Sequence, residues 1–244
     1  MLKSLSAINV LIVVNVVLFG ITYLLPDMEN TMVEALGLYF PKNEHFGYWQ
    51  LITNMFMHGG VGHILLNMYA LWAFGTPLEQ RWGTRRFLVF YFVAGIGAGV
   101  IYTLVNYFQF QQIHNELTAM GMSAEDIVRL LKTGEYNPSE IALSKERLTS
   151  FYHIYNVPAV GASGAIYGVL VAFGMLYPNA KLALLFFPVP IAAKYFIPGL
   201  ILLDLFSGVT GFSIFGGGIA HFAHIGGAII GFLLMWYWRK DKRF

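Results

Sequence analysis

The chain has 244 residues, of which 57% are hydrophobic and 11% charged, with a formal net charge of +2 and a mean hydropathy of +0.61. That balance excludes an ordinary soluble domain and a disordered chain and indicates an integral membrane protein. Cysteine is absent, which excludes disulfides, thiolate metal sites and thiol nucleophiles.

An α-helix rises about 1.5 Å per residue, so roughly 20 apolar residues cross a hydrocarbon core of about 30 Å. The first run to meet that length is 5–25. It is too long for a signal-peptide core and lacks a small-residue cleavage pattern after it, so it is read as a retained signal anchor. The next runs are 59–75 and 86–108. An acidic connection of about fifty residues, 107–157, follows; Ser123 with Asp126 predicts a capping box, Ile127, Leu130 and Leu131 an apolar face, and Gly134 a helix stop. A second helix is expected over 139–152. The remaining runs are 158–177, 192–212 and 217–238. None shows the two-residue alternation of barrel strands, so the predicted class is an all-α bundle of six transmembrane helices.

Lys and Arg divide ten to five if both termini are cytoplasmic. Lys3, Arg81, Arg85, Arg86, Lys181, Lys194, Arg239, Lys240, Lys242 and Arg243 fall inside, and Lys42, Arg129, Lys132, Lys145 and Arg147 outside. Short-loop positive charge sets orientation, which predicts N-in and C-in. The domain expectation is one unit over 1–244, with 107–157 as a partly helical extracytoplasmic insertion.

Polar groups within spans are costly and mark function. Ser163 stands in the stretch VGASGAIYG, His63 and Asn67 are four residues apart on span two, and His224 lies on span six. Counted from the outer start of each span, all three helices bring reactive groups to roughly 6–10 Å depth. Gly164 with Gly168, and Gly227 with Gly231, form two GxxxG pairs, which let spans four and six approach backbone to backbone. Ser163 would then meet His224, and a hydroxyl becomes a useful nucleophile when an imidazole takes its proton.

With these residues assembled, the chain resembles the rhomboid intramembrane serine proteases across all six spans. The likeness rests on GASG followed by Tyr167, HILLN over 63–67, and AHIGGAIIG over 223–231. WQLITNMFMH, 49–58, looks like the family's first outer loop, and LEQRWG, 78–83, like its acidic and basic pair. The resemblance implies Ser163 as nucleophile, His224 as base, and His63, Asn67 and the Ser163 N–H as the oxyanion hole. Tyr167 would stack on the His224 ring, and Gly161, Gly164, Gly227 and Gly231 would support the site. Two features depart from the family pattern: Gln50 stands where the loop motif has arginine, and 107–157 replaces a short link.

No acidic residue is expected in the reactive layer, so a Ser-His dyad is predicted over a triad, with Asp204 near mid-span making a structural hydrogen bond. His58 is read as shaping the outer loop and His221 as a structural neighbour. His221, His224 and His63 lack a carboxylate partner, so no metal or cofactor is expected. The expected partners are single-span membrane-protein substrates and the lipid bilayer, with no nucleic acid. The expected location is a prokaryotic plasma membrane with the site facing outside. Two competing readings are a non-catalytic rhomboid-like protein that binds transmembrane clients, and a small-solute transporter, which the absence of two matching halves disfavours.

Overall fold

A computed structural model describes residues 6–25, 28–137, 141–184, 187–212 and 220–240. The expected starts at Leu5, Ser139 and Gly217, and the charges of Lys3, Lys242 and Arg243, lie outside the described residues. Helix α1 (Ala7–Leu24) is apolar almost throughout, and its polar Asn15 and Thr22 bond back to carbonyls four residues earlier, at 2.8 Å each. After α2 (Met28–Leu36), α3 (Gln50–Thr53) tightens into a 3₁₀ turn over Asn54–Phe56. Helix α4 (Val61–Ala70) widens into a π turn over Leu71–Gly75 and continues into α5 (Thr76–Trp82).

Helix α6 (Thr84–Ala119) is 36 residues long and overruns the expected end at residue 108 by eleven residues. The apolar run stops there, but the helical periodicity does not. Phe110, Ile113 and Leu117 continue one buried face, and Gly121, at φ 88°, stands just beyond the end. Helix α7 (Ala124–Thr133) is capped by Ser123, whose side chain accepts from the Asp126 N–H, and ends at left-handed Gly134. Helix α8 (Lys145–Asn156) begins after Ser144, which accepts from the Arg147 N–H. The expected second helix therefore starts later, at the serine able to cap it.

Helix α9 (Ser163–Leu176) leads to a hairpin, β1 (Lys181–Leu184) and β2 (Phe187–Ala192), pairing Lys181 with Ala192 and Leu182 with Ile191. Pro188 and Pro190 disfavour helix there, so the chain is mostly helical rather than all-α. Helices α10 (Ala193–Thr210) and α11 (His221–Lys240) complete the order.

Helix α9 forms the centre, buried at every residue from 164 to 173, and packs against α6 and α11. Glycine permits both contacts. A Cβ on Gly227 would run into the Gly164 carbonyl, and one on Gly231 would lie 2.5 Å from the Gly168 Cα. On the other side, Cβ atoms on Gly164 and Gly168 would reach Ala98 and Ala94 of α6 at 2.7 and 2.6 Å. Large apolar side chains such as Val13, Leu65, Leu66, Leu202 and Val209 point outward, the surface a bilayer-embedded bundle presents. Among the described residues, α1, α6 and α10 are long and apolar enough to cross a membrane, and α9 is a shorter apolar helix.

A second apolar core lies beyond the bundle, where α6, α7 and α8 enclose Phe110, Leu117, Leu130 and Phe151. Phe40, from the loop after α2, inserts into it and packs at a tilt against Phe110 with ring centroids 4.6 Å apart. Asn43 donates to the Tyr155 carbonyl and Lys42 to Gln111, each at 2.8 Å.

Candidate active site

Ser163 is the first residue of α9, so its N–H has no carbonyl partner within the helix and adds to the positive end of the dipole. Gly161, two residues earlier, has φ 126° and donates its N–H to the Asn54 carbonyl at 2.9 Å. This irregular backbone is held on its other flank too: Leu38 and Ala159 exchange both backbone hydrogen bonds at 2.9 Å. The serine hydroxyl lies 2.8 Å from Nε2 of His224 on α11. The glycine crossing of α9 and α11 makes that distance possible, since any side chain at Gly227 would push the helices apart.

Tyr167, one turn along α9, lies flat against the His224 ring with centroids 4.3 Å apart and planes inclined by 11°. The far nitrogen of that imidazole, Nδ1, lies 3.1 Å from Oδ1 of Asp204 on α10. The same oxygen lies 2.5 Å from Nδ1 of His221, and the Tyr167 hydroxyl donates to Oδ2. Asp204, within α10, is thus in contact with the histidine, where no acidic residue was expected. Its one legible signal was solitude, as the single carboxylate within the predicted spans.

His63 and Asn67 share one face of α4 and converge on Gly161. An ideal Cβ built on that glycine would lie 2.7 Å from His63 Nε2 and 3.7 Å from Asn67 Nδ2. The Asn67 amide nitrogen is buried and has no hydrogen-bond partner among the described residues, so a donor stands ready beside the serine's loop. His58 lies in the turn before α4, its ring edge-on to His63 at 5.1 Å. Burial, and then the neighbouring His63, push its imidazole down to about 4, so it is neutral near pH 7. A small cavity lined by Asn54, Met55, Gly95, Val160, Gly161 and Ser163, among others, opens beside the serine.

Gln50 is fully buried. Its amide donates to the carbonyls of His45 at 2.7 Å and Glu34 at 3.2 Å, and its carbonyl oxygen accepts from the Tyr39 N–H at 3.1 Å. A neutral side chain holds the loop where an arginine's donors were missed. The adjacent Trp49 donates from its indole to the Ala35 carbonyl at 2.8 Å.

The chain matches the family model described as Rhomboid domain over residues 45–125 and 140–241. It is 28% identical over 235 residues to Rhomboid protein 1, mitochondrial, of Saccharomyces cerevisiae, covering 96% of this chain and 54% of that protein. It is 27% identical over 230 residues to Presenilin-associated rhomboid-like protein, mitochondrial, of Homo sapiens, covering 93% and 46%. A shorter match, 31% over 77 residues, covers 32% of the chain and 29% of Rhomboid-like protease 3 of Toxoplasma gondii. The chain spans about half the length of the first two relatives. These matches overturn one expectation. Mitochondrial rhomboid proteins conflict with a prokaryotic plasma membrane as the location.

Proposed function

Because the chain belongs to the rhomboid family, we propose that it is an intramembrane serine protease cleaving peptide bonds in or next to transmembrane segments of membrane proteins. The observation that carries the reading is the 2.8 Å contact between Ser163 Oγ and His224 Nε2. A relative that bears the word protease in its name adds support. In this reading the bundle crosses the bilayer six times, with both termini on the side rich in Lys and Arg. The segment 107–157 is an insertion within a single rhomboid domain, on the opposite side.

Ser163 Oγ attacks the carbonyl carbon of the scissile bond while its proton passes to His224 Nε2. The carbonyl π pair moves onto oxygen, and that oxyanion is received by the Ser163 N–H, the Asn67 amide and His63. Collapse breaks the C–N bond, His224 gives its proton to the leaving amine, and an ester to Ser163 remains. Water then attacks the ester, passing one proton through His224 back to Ser163 Oγ, and releases the new carboxyl terminus. The substrate must unwind locally, because a helical carbonyl is already hydrogen-bonded and shielded from attack. Small side chains at the cut suit the confined cavity beside Gly161 and Ser163, and single-span substrates are the simplest to deliver such a segment.

The competing reading, a non-catalytic protein that binds transmembrane clients, differs in one measurable respect. A fluorescent fluorophosphonate should label the wild-type chain and leave Ser163→Ala and His224→Ala unlabelled. Equal labelling of all three would overturn the protease reading.

A further inference from the structure

Asp204 carries a carboxylate into an apolar bundle and is only 7% exposed. A charge in that setting persists only when donors surround it. Both of its oxygens are engaged: Oδ1 by the Nδ1 atoms of His221 and His224, and Oδ2 by the Tyr167 hydroxyl. Tyr167 links two kinds of restraint, because the ring that donates to Asp204 is also stacked on His224 at 4.3 Å. The imidazole is therefore held by one face and by the edge opposite Ser163.

We propose that Asp204 is a positioning residue that holds His224 in the tautomer able to receive the Ser163 proton, making the site a Ser163–His224–Asp204 array rather than a dyad. The inference rests on the protease reading above. Its chemistry is simple. Nε2 must carry a free lone pair towards Ser163 Oγ, so Nδ1 must carry the hydrogen. A carboxylate, which accepts and cannot donate when ionised, enforces that choice. It also offsets the positive charge that His224 acquires while it holds the serine proton. Helix α10 contributes the carboxylate, α9 the nucleophile and the stacking ring, and α11 both histidines, so three helices meet on one imidazole.

The same atoms of Asp204, His221 and His224 lie within 4.8 Å of one another, a spacing a cation could also use. A cation would take the Nδ1 lone pair and leave the hydrogen on Nε2, the wrong tautomer for accepting from Ser163. Positioning by hydrogen bond and use of a metal therefore make opposite predictions.

The test uses the full chain in detergent micelles, with a single-span reporter substrate and a fluorophosphonate. Asp204→Asn keeps the shape but can donate from its amide, which stabilises the wrong tautomer. Its kcat should fall about 10²- to 10⁴-fold with KM within about twofold and the phosphonylation rate falling in parallel. Tyr167→Phe retains the stacked ring, removes one donor to Asp204 and should lower kcat several-fold at unchanged KM. Chelation with EDTA should change nothing. Near wild-type kcat in Asp204→Asn would overturn the proposal, as would loss of activity on chelation. If Asp204→Asn does not fold, an unchanged kcat in Tyr167→Phe overturns it alone. Failure of the protease reading itself looks different: the wild-type chain is then unlabelled, or Ser163→Ala is labelled equally.

Discussion

Gly161 shows how much a single residue decides here. Its φ of 126° is one that side chains rarely adopt, and the space a Cβ would need is occupied by His63. Gly161→Ala should therefore act twice, straining the loop before Ser163 and displacing His63. We expect about 1–3 kcal/mol of lost stability, read from thermal unfolding, and at least a tenfold fall in kcat on a reporter substrate. In the protease reading Asn67 serves the oxyanion, and its amide nitrogen bonds to nothing else described. Asn67→Ala should cost about 10²-fold or more in kcat with little change in KM or unfolding midpoint, and equal losses in both constants would argue for a structural role. Span depth and helical spacing single out Ser163, His63, Asn67 and His224 in the sequence, whereas the place of Tyr167 against the His224 ring came only with the family resemblance. Asp204 was visible as a residue but not as a partner of His224. Its reach depends on how α10 is rotated against α11, and periodicity along one chain segment does not report that angle.

Among the elements, α6 illustrates what hydropathy measures and what it misses. The apolar run marks the part suited to lipid, and the helix itself continues because Phe110, Ile113 and Leu117 still repeat at helical spacing. That extension builds the second core, into which the loop after α2 sends Phe40. The loop is thus tied at one end to the extension and at the other, through Gln50, to its own backbone. It continues into the Asn54 carbonyl that holds Gly161. Phe40→Ala should cost about 3–5 kcal/mol of local stability. It should also raise proteolytic nicking within 112–150 before the bundle unfolds. If the second core steadies the serine's loop, cleavage should slow as well, and an unchanged rate would show the two cores to be independent. None of this coupling was legible in the sequence, which predicts the amphipathic face of α7 but not what it packs against.

For the molecule as a whole, the chief question is what ties the outer helices to the central one, since apolar burial drives little helix association within lipid. Part of the answer lies at the end of the bundle bearing the start of α1. Glu79 of α5 is buried and accepts from the Ser6 hydroxyl, from the N–H groups of Ala7 and Ile8, and from the Thr84 hydroxyl. One carboxylate thereby caps the first turn of α1 and fastens it to α5 and the start of α6, placing negative charge where the α1 dipole is positive. Burial works to raise the Glu79 pKa, but the hydrogen bonds from Ser6, Ala7, Thr84 and Ile8 prevail and hold it below the ordinary carboxylate value. A carboxyl whose pKa is lower folded than unfolded contributes stability that is fully present above the unfolded value and is lost as pH falls through the folded one. Glu79→Gln removes the charge while keeping an acceptor. Wild type should therefore unfold at a higher temperature than the variant, by a constant margin from pH 6 to 8, and the margin should shrink in acid below about pH 4.5. A margin that stayed constant into acid would mean that the carboxylate's charge does not hold α1 in place. The joint would then rest on shape and on hydrogen bonds that glutamine reproduces.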